Sequence, residues 1–198
     1  VEHRAVFDDK DYYSFRHMSA HHIARLQNFF KGVGMHQMGI VLMKWNTLSG
    51  YTTAESNSFY RSALFIDEMI NLPSYTQGIA FWLNTYIHEA ATGRETFDVI
   101  SLYLFNNLRR PVYFADKLMD YLYTHVILRD DNLLVTRNHS GDISILALNP
   151  CYFAPHLASD SSFTDGERRV FSLHIEGIKG RKLIERYHMD NQQTSLYD

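Results

Sequence analysis

Apolar side chains recur at helical spacing through the middle of the chain and predict a series of helices there. The clearest series follows Ser74-Tyr-Thr-Gln77, a capping-box pattern, and predicts a helix over residues 74–92. Its apolar positions fall at i, i+3, i+4, i+7, i+8 and i+11, one face of an α-helix: Ile79, Trp82, Leu83, Tyr86, Ile87 and Ala90. Similar spacing predicts further helices over residues 19–31, 54–71, 96–110 and 111–126. Residues 35–48 are apolar without a clean period, and we assign them to a helix rather than a strand.

The hydrophobic period changes near Arg129. Two alternating segments flank Asn138-His-Ser-Gly-Asp142, which predicts a β-hairpin at roughly 133–148. Beyond it, Thr164-Asp-Gly-Glu167 has the capping-box pattern and predicts a helix through Val170 and Ile178. The predicted fold class is therefore mainly α (α+β), a compact bundle of about six helices with one β-hairpin. We expect one domain over residues 1–188 and a flexible C-terminal tail over 189–198.

Two of the predicted helices are poor in charge. Between Met69 and Gly93 the only formal charge is Glu89, and residues 99–108 have none. A helix without charge on its outer face is usually buried in its own domain or covered by another chain. The low charge of helices 74–92 and 96–110 therefore predicts a non-catalytic module for protein–protein interaction or assembly. Its partner would be another protein or a second copy in a homo-oligomer. The aromatic residues that the core stripes do not need are the candidate interface anchors: Tyr75, Phe81, Tyr103, Phe105 and Tyr113.

Composition narrows the classes of function. The formal net charge of −3 excludes a uniformly basic surface, so nucleic-acid binding would need a local patch. Cys151 is the only cysteine, which excludes an intramolecular disulfide and predicts a buried thiol in a reducing compartment. The first residues lack the apolar run of a secretory signal, and no apolar run approaches the ~20 residues that cross a bilayer. We expect a soluble cytoplasmic protein without membrane contact.

The predicted elements follow one another in the order helix 96–110, helix 111–126 and hairpin 133–148. This order resembles the core of a winged-helix module. In such a module the second helix enters the major groove and the hairpin forms the wing. This alternative predicts a nucleic-acid-binding regulator whose phosphate or base contacts are Arg109, Arg110, Lys117, Arg129 and Arg137. Asp116 and Asp120 lie on the same helix and would repel phosphate, and the hairpin tip offers only His139 and Asp142.

The chain contains 11 histidines, which raises the alternative of a metal-dependent enzyme. His17 and His21 are four residues apart, so on a helix both rings could bind one metal ion. His88-Glu89 begins like the zincin motif, but Thr92 occupies the position of the second histidine. No nucleotide-binding loop or serine-nucleophile motif is present, so no catalytic residue and no cofactor is predicted.

Overall fold

The computed structural model describes residues 18–47, 59–82, 101–103, 107–151, 169–177 and 180–190. The elements in chain order are α1 (Met18–Gly32), β1 (Val41–Trp45), α2 (Phe59–Asn71), a 3₁₀ turn (Leu72–Ser74), β2 (Gly78–Phe81), α3 (Pro111–Met119), β3 (His125–Arg129), β4 (Leu133–Arg137) and β5 (Ile143–Ala147). The described part thus holds three α-helices and five strands in two sheets. The fold is α+β, and the predicted six-helix bundle is wrong.

The first sheet is a parallel pair in which α2 lies between the two strands along the chain. Val41 pairs with Gly78, Leu42 with Ile79 and Trp45 with Phe81. Two parallel strands cannot be joined by a tight turn, so a crossover helix is the usual connection. Residues 41–81 therefore form a β–α–β unit.

Both strands of this unit fall where we predicted helices. The segment 35–48 contains strand β1, and the segment 74–92 contains β2, while residues 83–92 lie outside the described residues. A parallel strand is commonly apolar on both faces and shows no alternation, so a short apolar run does not distinguish it from a helix. Strand pairing, which is not visible in a local pattern, decided both segments.

The predicted helices near residue 110 also differ. Residues 101–103 and 107–110 are not α-helical, and Tyr103 forms an antiparallel bridge with Arg109. Asn107 has φ +59°, a left-handed conformation that does not continue a helix. Helix 111–126 begins at Pro111 as expected but ends at Met119, because residues 125–129 form strand β3.

The second sheet is antiparallel, in the order β3–β4–β5. The predicted hairpin is confirmed as β4 and β5, with Leu133 opposite Ala147 and Arg137 opposite Ile143. The Asn138 side chain closes the turn: its amide nitrogen donates to Asp142 Oδ2 at 2.7 Å, and its Oδ1 accepts from the Asp142 amide at 2.8 Å. Gly141 adopts φ +89° there, a conformation that glycine adopts without a steric penalty.

The core lies where α2 meets the parallel sheet and α3. Phe65 of α2 contacts Trp45 of β1 and Phe81 of β2, with ring centroids 5.9 and 5.5 Å apart. The helix α3 packs against α2 through Val112 and Ala115, which are buried. The α1 helix, predicted over 19–31, is confirmed, and the Cys151 side chain is buried as expected.

The C-terminal segments 169–177 and 180–190 contain no helix or strand, and they contact residues on either side of β3. The Arg169 guanidinium donates to Asn132 Oδ1, and the Tyr187 ring stacks on Tyr121 with centroids 5.0 Å apart. The helix predicted from residue 164 onward is wrong at 169–177, and residues 191–198 of the predicted tail lie outside the described residues.

Candidate functional site

The basic residues of the predicted nucleic-acid surface do not share one environment. Arg110 is completely buried, and its Nη1 donates to the Ser101 carbonyl oxygen at 3.2 Å. Arg109 lies over the Tyr113 ring, with its guanidinium carbon 4.8 Å from the ring centroid. Arg110 is therefore a structural residue that holds the start of α3, whereas Arg109 stacks on an aromatic ring.

The outer face of α3 carries charges of both signs. Lys117 Nζ lies 3.4 Å from Asp120 Oδ2, and this hydrogen bond is the main reason that the Lys117 pKa is raised. Burial raises the pKa of Asp116, and the nearby Asp120 carboxylate raises it further. Two carboxylates within one turn of Lys117 reduce the attraction of this face for phosphate.

The two arginines of the antiparallel sheet lie at opposite ends of the β3–β4 pair. Arg137 pairs with His125, whereas Arg129 pairs with Leu134, so roughly 13 Å of strand separates them. Arg129 Nη2 donates to the Ile70 carbonyl oxygen at 3.1 Å and to Asn71 Oδ1, which attaches the sheet to the end of α2. Arg137 is exposed. The five predicted contact residues thus do not converge on a single basic patch.

A cavity of about 270 Å³ lies beside the Arg129 contact. Three carboxylates, from Asp67, Asp130 and Asp131, contribute to its lining together with Asn71 and Arg129. The Asp130 carboxylate accepts hydrogen bonds from the Asn132 and Leu133 amides at 2.8 and 2.7 Å, so it closes the β3–β4 turn. The electrostatics of this cavity disfavour an anionic guest such as a nucleic-acid phosphate.

The predicted interface aromatics lie mostly against the core. Tyr75, Phe81, Tyr103 and Tyr113 are partly buried and pack on the core cluster, and Phe105 lies outside the described residues. The Tyr103 and Tyr113 rings are 5.1 Å apart and form one pair at the start of α3. Their role as interface anchors stays a prediction.

The histidine pair is only half described. His21 is exposed on α1, and His17 lies outside the described residues. Within the described part of the chain, no group of three or more His, Cys, Asp or Glu side chains is placed to hold a metal ion. No helix among the described residues is long and apolar enough to cross a membrane.

A further set of polar and aromatic residues lies at the carboxyl end of the parallel sheet, where the sequence patterns did not indicate a site. Asn46 follows β1 and Trp82 follows β2. The side-chain Nδ2 of Asn46 donates to the backbone carbonyl oxygen of Trp82. Lys44 Nζ lies 5.7 Å from the Trp82 ring centroid. Recognising residues 41–81 as a β–α–β unit would have indicated this edge, because both strand ends then meet at one place.

The chain is similar in sequence to a group of bacterial proteins. The chain is 29% identical over 162 residues to uncharacterized HTH-type transcriptional regulators of Staphylococcus aureus strains COL and MSSA476. The match covers 80% of this chain and 22% of each regulator, so the chain spans about a fifth of the length of these curated relatives. No protein-family model matches. These relatives favour the regulator hypothesis over the non-catalytic interaction module.

Solved structures resemble the fold. A monomeric β-xylosidase from Caulobacter crescentus CB15 superposes with a TM-score of 0.56 and 15% identity, over 67% of this chain and 27% of the xylosidase. The GH39 enzyme from Xanthomonas axonopodis pv. citri superposes with a TM-score of 0.53 and 13% identity, over 61% of this chain and 24% of the enzyme. At this level of identity the likeness describes architecture alone.

The raised pKa of Asp116 predicts a stability change with pH. A carboxyl group whose folded pKa lies above its unfolded value of 3.8 favours the folded state when protonated, and this contribution is lost as pH rises through the folded pKa. We therefore expect Asp116→Asn to raise the free energy of unfolding at pH 7 by about 0.5 kcal/mol, a small gain because water screens the partly exposed carboxylate. Urea unfolding at pH 7 and pH 3 checks this. The gain should shrink at pH 3, and equal gains at both values would contradict it.

Proposed function

We propose that this protein acts in transcriptional regulation, in the manner of an HTH-type regulator. The observation that carries this proposal is the similarity to HTH-type transcriptional regulators along 162 residues, four fifths of the chain. Such a length of similarity involves the β–α–β unit, α3 and the antiparallel sheet together rather than one short motif.

Within that role, we assign the described residues to the part of a regulator that receives a signal rather than to its DNA reader. The DNA-reading form would use helix 111–126 and hairpin 133–148 as a winged helix. The hairpin and the exposed Arg137 support it. Three features of α3 favour a structural role for this helix. It is short, its residues Val112 and Ala115 are buried, and it carries the carboxylate of Asp116 with Asp120 at its C-terminal end.

The match to a fifth of each regulator supports this assignment, because four fifths of those proteins lie outside it and can carry the HTH element. A β–α–β unit beside an antiparallel sheet also differs from helix-turn-helix architecture, in which the recognition helix stands free to enter the major groove. The accessible edge of the parallel sheet supports the assignment to signal reception, because binding residues commonly lie on loops that a scaffold positions.

Transcript profiling of cells with and without the protein tests the regulatory role. We expect a defined set of transcripts to change when the protein is removed and to recover when it is restored. Unchanged transcript levels across growth conditions would contradict the role.

Fluorescence anisotropy with duplex DNA tests the assignment within that role. We expect the 198-residue chain to bind no tighter than the roughly 10⁻⁴–10⁻⁶ M typical of non-specific contact, with little change in Arg109→Ala/Arg137→Ala. Arg110 is left intact because it is buried. Sequence-specific binding that is lost in the double variant, while its melting temperature is unchanged, would establish the winged-helix form instead.

A further inference from the structure

The carboxyl edge of the parallel sheet brings together groups from both strands. The Trp82 amide donates to the Trp45 carbonyl oxygen at 2.9 Å, which continues the strand pairing beyond β2. The Asn46 side chain donates to the Trp82 carbonyl oxygen, so the two strand ends are joined twice. In open α/β sheets, small molecules bind outside the carboxyl ends of parallel strands, because the loops there leave a crevice.

The buried guanidinium group of Arg61 orients the Asn46 side chain at this edge. Arg61 of α2 is completely buried, and its Nη2 donates to Asn46 Oδ1 at 2.8 Å. Its guanidinium lies over the Phe81 ring, 5.5 Å from the centroid. On the other side, Trp45 Nε1 donates to Ser19 Oγ at 3.5 Å. Asn46 and Trp45 therefore have set orientations before any molecule binds, which reduces the entropy lost on binding.

Two groups at the edge remain accessible. Lys44 is exposed, and Trp82 retains 38% of its accessible surface. The Lys44 ammonium lies next to the indole ring, at 5.7 Å from its centroid. Thr47, which is half-buried, adds a hydroxyl group 3.5 Å from Asn46 Oδ1. A cation beside an accessible indole can bind a compound that has an anionic group attached to a ring.

We propose that this edge, formed by Lys44, Asn46, Thr47 and Trp82, binds a small anionic ring compound. Lys44 would pair with the carboxylate or phosphate, Trp82 would stack on the ring, and Asn46 and Thr47 would hydrogen-bond its polar substituents. Sugar acids and sugar phosphates share this chemistry with aromatic carboxylates. The proposal rests on the proposed function in one respect, since the compound would be the signal that the regulator receives.

Intrinsic fluorescence gives a direct readout of this edge. The chain has two tryptophans, and both of them, Trp45 and Trp82, lie at the carboxyl end of the parallel sheet. We would titrate the full chain with glucuronate, glucose 6-phosphate and benzoate, with neutral glucose as the reference. We expect saturable change in the emission with at least one anionic probe, at a dissociation constant at least about tenfold lower than for glucose. The stronger of the sugar and benzoate responses identifies the ring type.

Matched variants locate the binding. Lys44→Met should weaken binding of the anionic probe by about tenfold or more, whereas Lys44→Arg should retain most of it. Lys117→Met removes an exposed cation on α3 and should leave the dissociation constant unchanged. Circular dichroism confirms that each variant is folded. Absence of saturation with every anionic probe, or equal affinity in Lys44→Met, would overturn the proposal.

This outcome is separable from that of the proposed function. Probe binding is measured on the purified chain without DNA, and transcript profiling is performed without the probes. Binding without any transcript change would keep the site and remove the regulatory role. A transcript change without binding would keep the role and remove the site.

Discussion

Replacing Arg110 with alanine is expected to lower the free energy of unfolding by about 2–5 kcal/mol, enough to unfold a marginal domain. Arg110 is completely buried where the chain enters α3, and its Nη1 donates to the Ser101 carbonyl oxygen. Alanine would leave a cavity of side-chain size and a buried carbonyl group without this donor. Urea unfolding monitored by circular dichroism measures the loss.

The neighbouring arginine provides the control. Arg109→Ala removes an equal charge from the adjacent position, where the guanidinium stacks on the Tyr113 ring, and should cost about 1 kcal/mol or less. Arg110→Met keeps much of the volume without the charge and separates packing from hydrogen bonding. Equal losses for Arg109→Ala and Arg110→Ala would contradict the structural role of Arg110.

This result also decides how DNA binding can be tested. If Arg110→Ala unfolds the chain, loss of DNA retention in any variant that includes it reports on folding and not on phosphate contact. The Arg109→Ala/Arg137→Ala pair avoids this ambiguity, because Arg137 is exposed and Arg109 stacks on a ring at the start of α3.

Phe65→Ala is expected to cost about 3–5 kcal/mol, the range for truncating a buried phenylalanine. Phe65 retains 2% of its accessible surface and contacts Trp45 and Phe81, so it joins α2 to both strands of the parallel sheet. Its removal should also change the near-ultraviolet circular dichroism of Trp45, since their rings lie 5.9 Å apart. Denaturant unfolding and near-ultraviolet spectra of the variant provide the measurements.

Phe29 is the matched control for this substitution. It lies on α1 with 62% of its surface accessible, so Phe29→Ala should change the free energy of unfolding by about 0.5 kcal/mol or less. A loss at Phe65 as small as that at Phe29 would mean that the parallel sheet does not pack on α2 as described.

Elements that depend on local interactions were predictable from the sequence. The helix over 19–31 ends near Gly32, and the hairpin contains Asn138 and Gly141, whose conformations set its turn. In both cases the deciding interactions join residues within a few positions of one another. The buried thiol of Cys151 also followed from composition, since a lone cysteine commonly packs as a small apolar side chain.

Local sequence patterns did not predict the candidate site. Lys44 and Trp82 are 38 residues apart in the chain, with Asn46 and Arg61 between them, and only the pairing of β1 with β2 brings these residues together. Charge and the order of the predicted elements indicated a different set, the basic residues of the predicted nucleic-acid surface. Tertiary contacts placed Arg110 in the core and tied Arg129 to the end of α2.

The sequence alone thus determined the first helix, the helix that ends at Asn71, the late hairpin and the burial of one thiol, because each depends on neighbouring residues or on side-chain type. The tertiary structure decided that residues 41–45 and 78–81 are strands, although the first segment shows no clean period and the second has the apolar spacing of a helix. The physical reason is that a parallel strand is stabilised by hydrogen bonds to a partner distant in the chain. A local pattern of apolar residues carries no information about that partner.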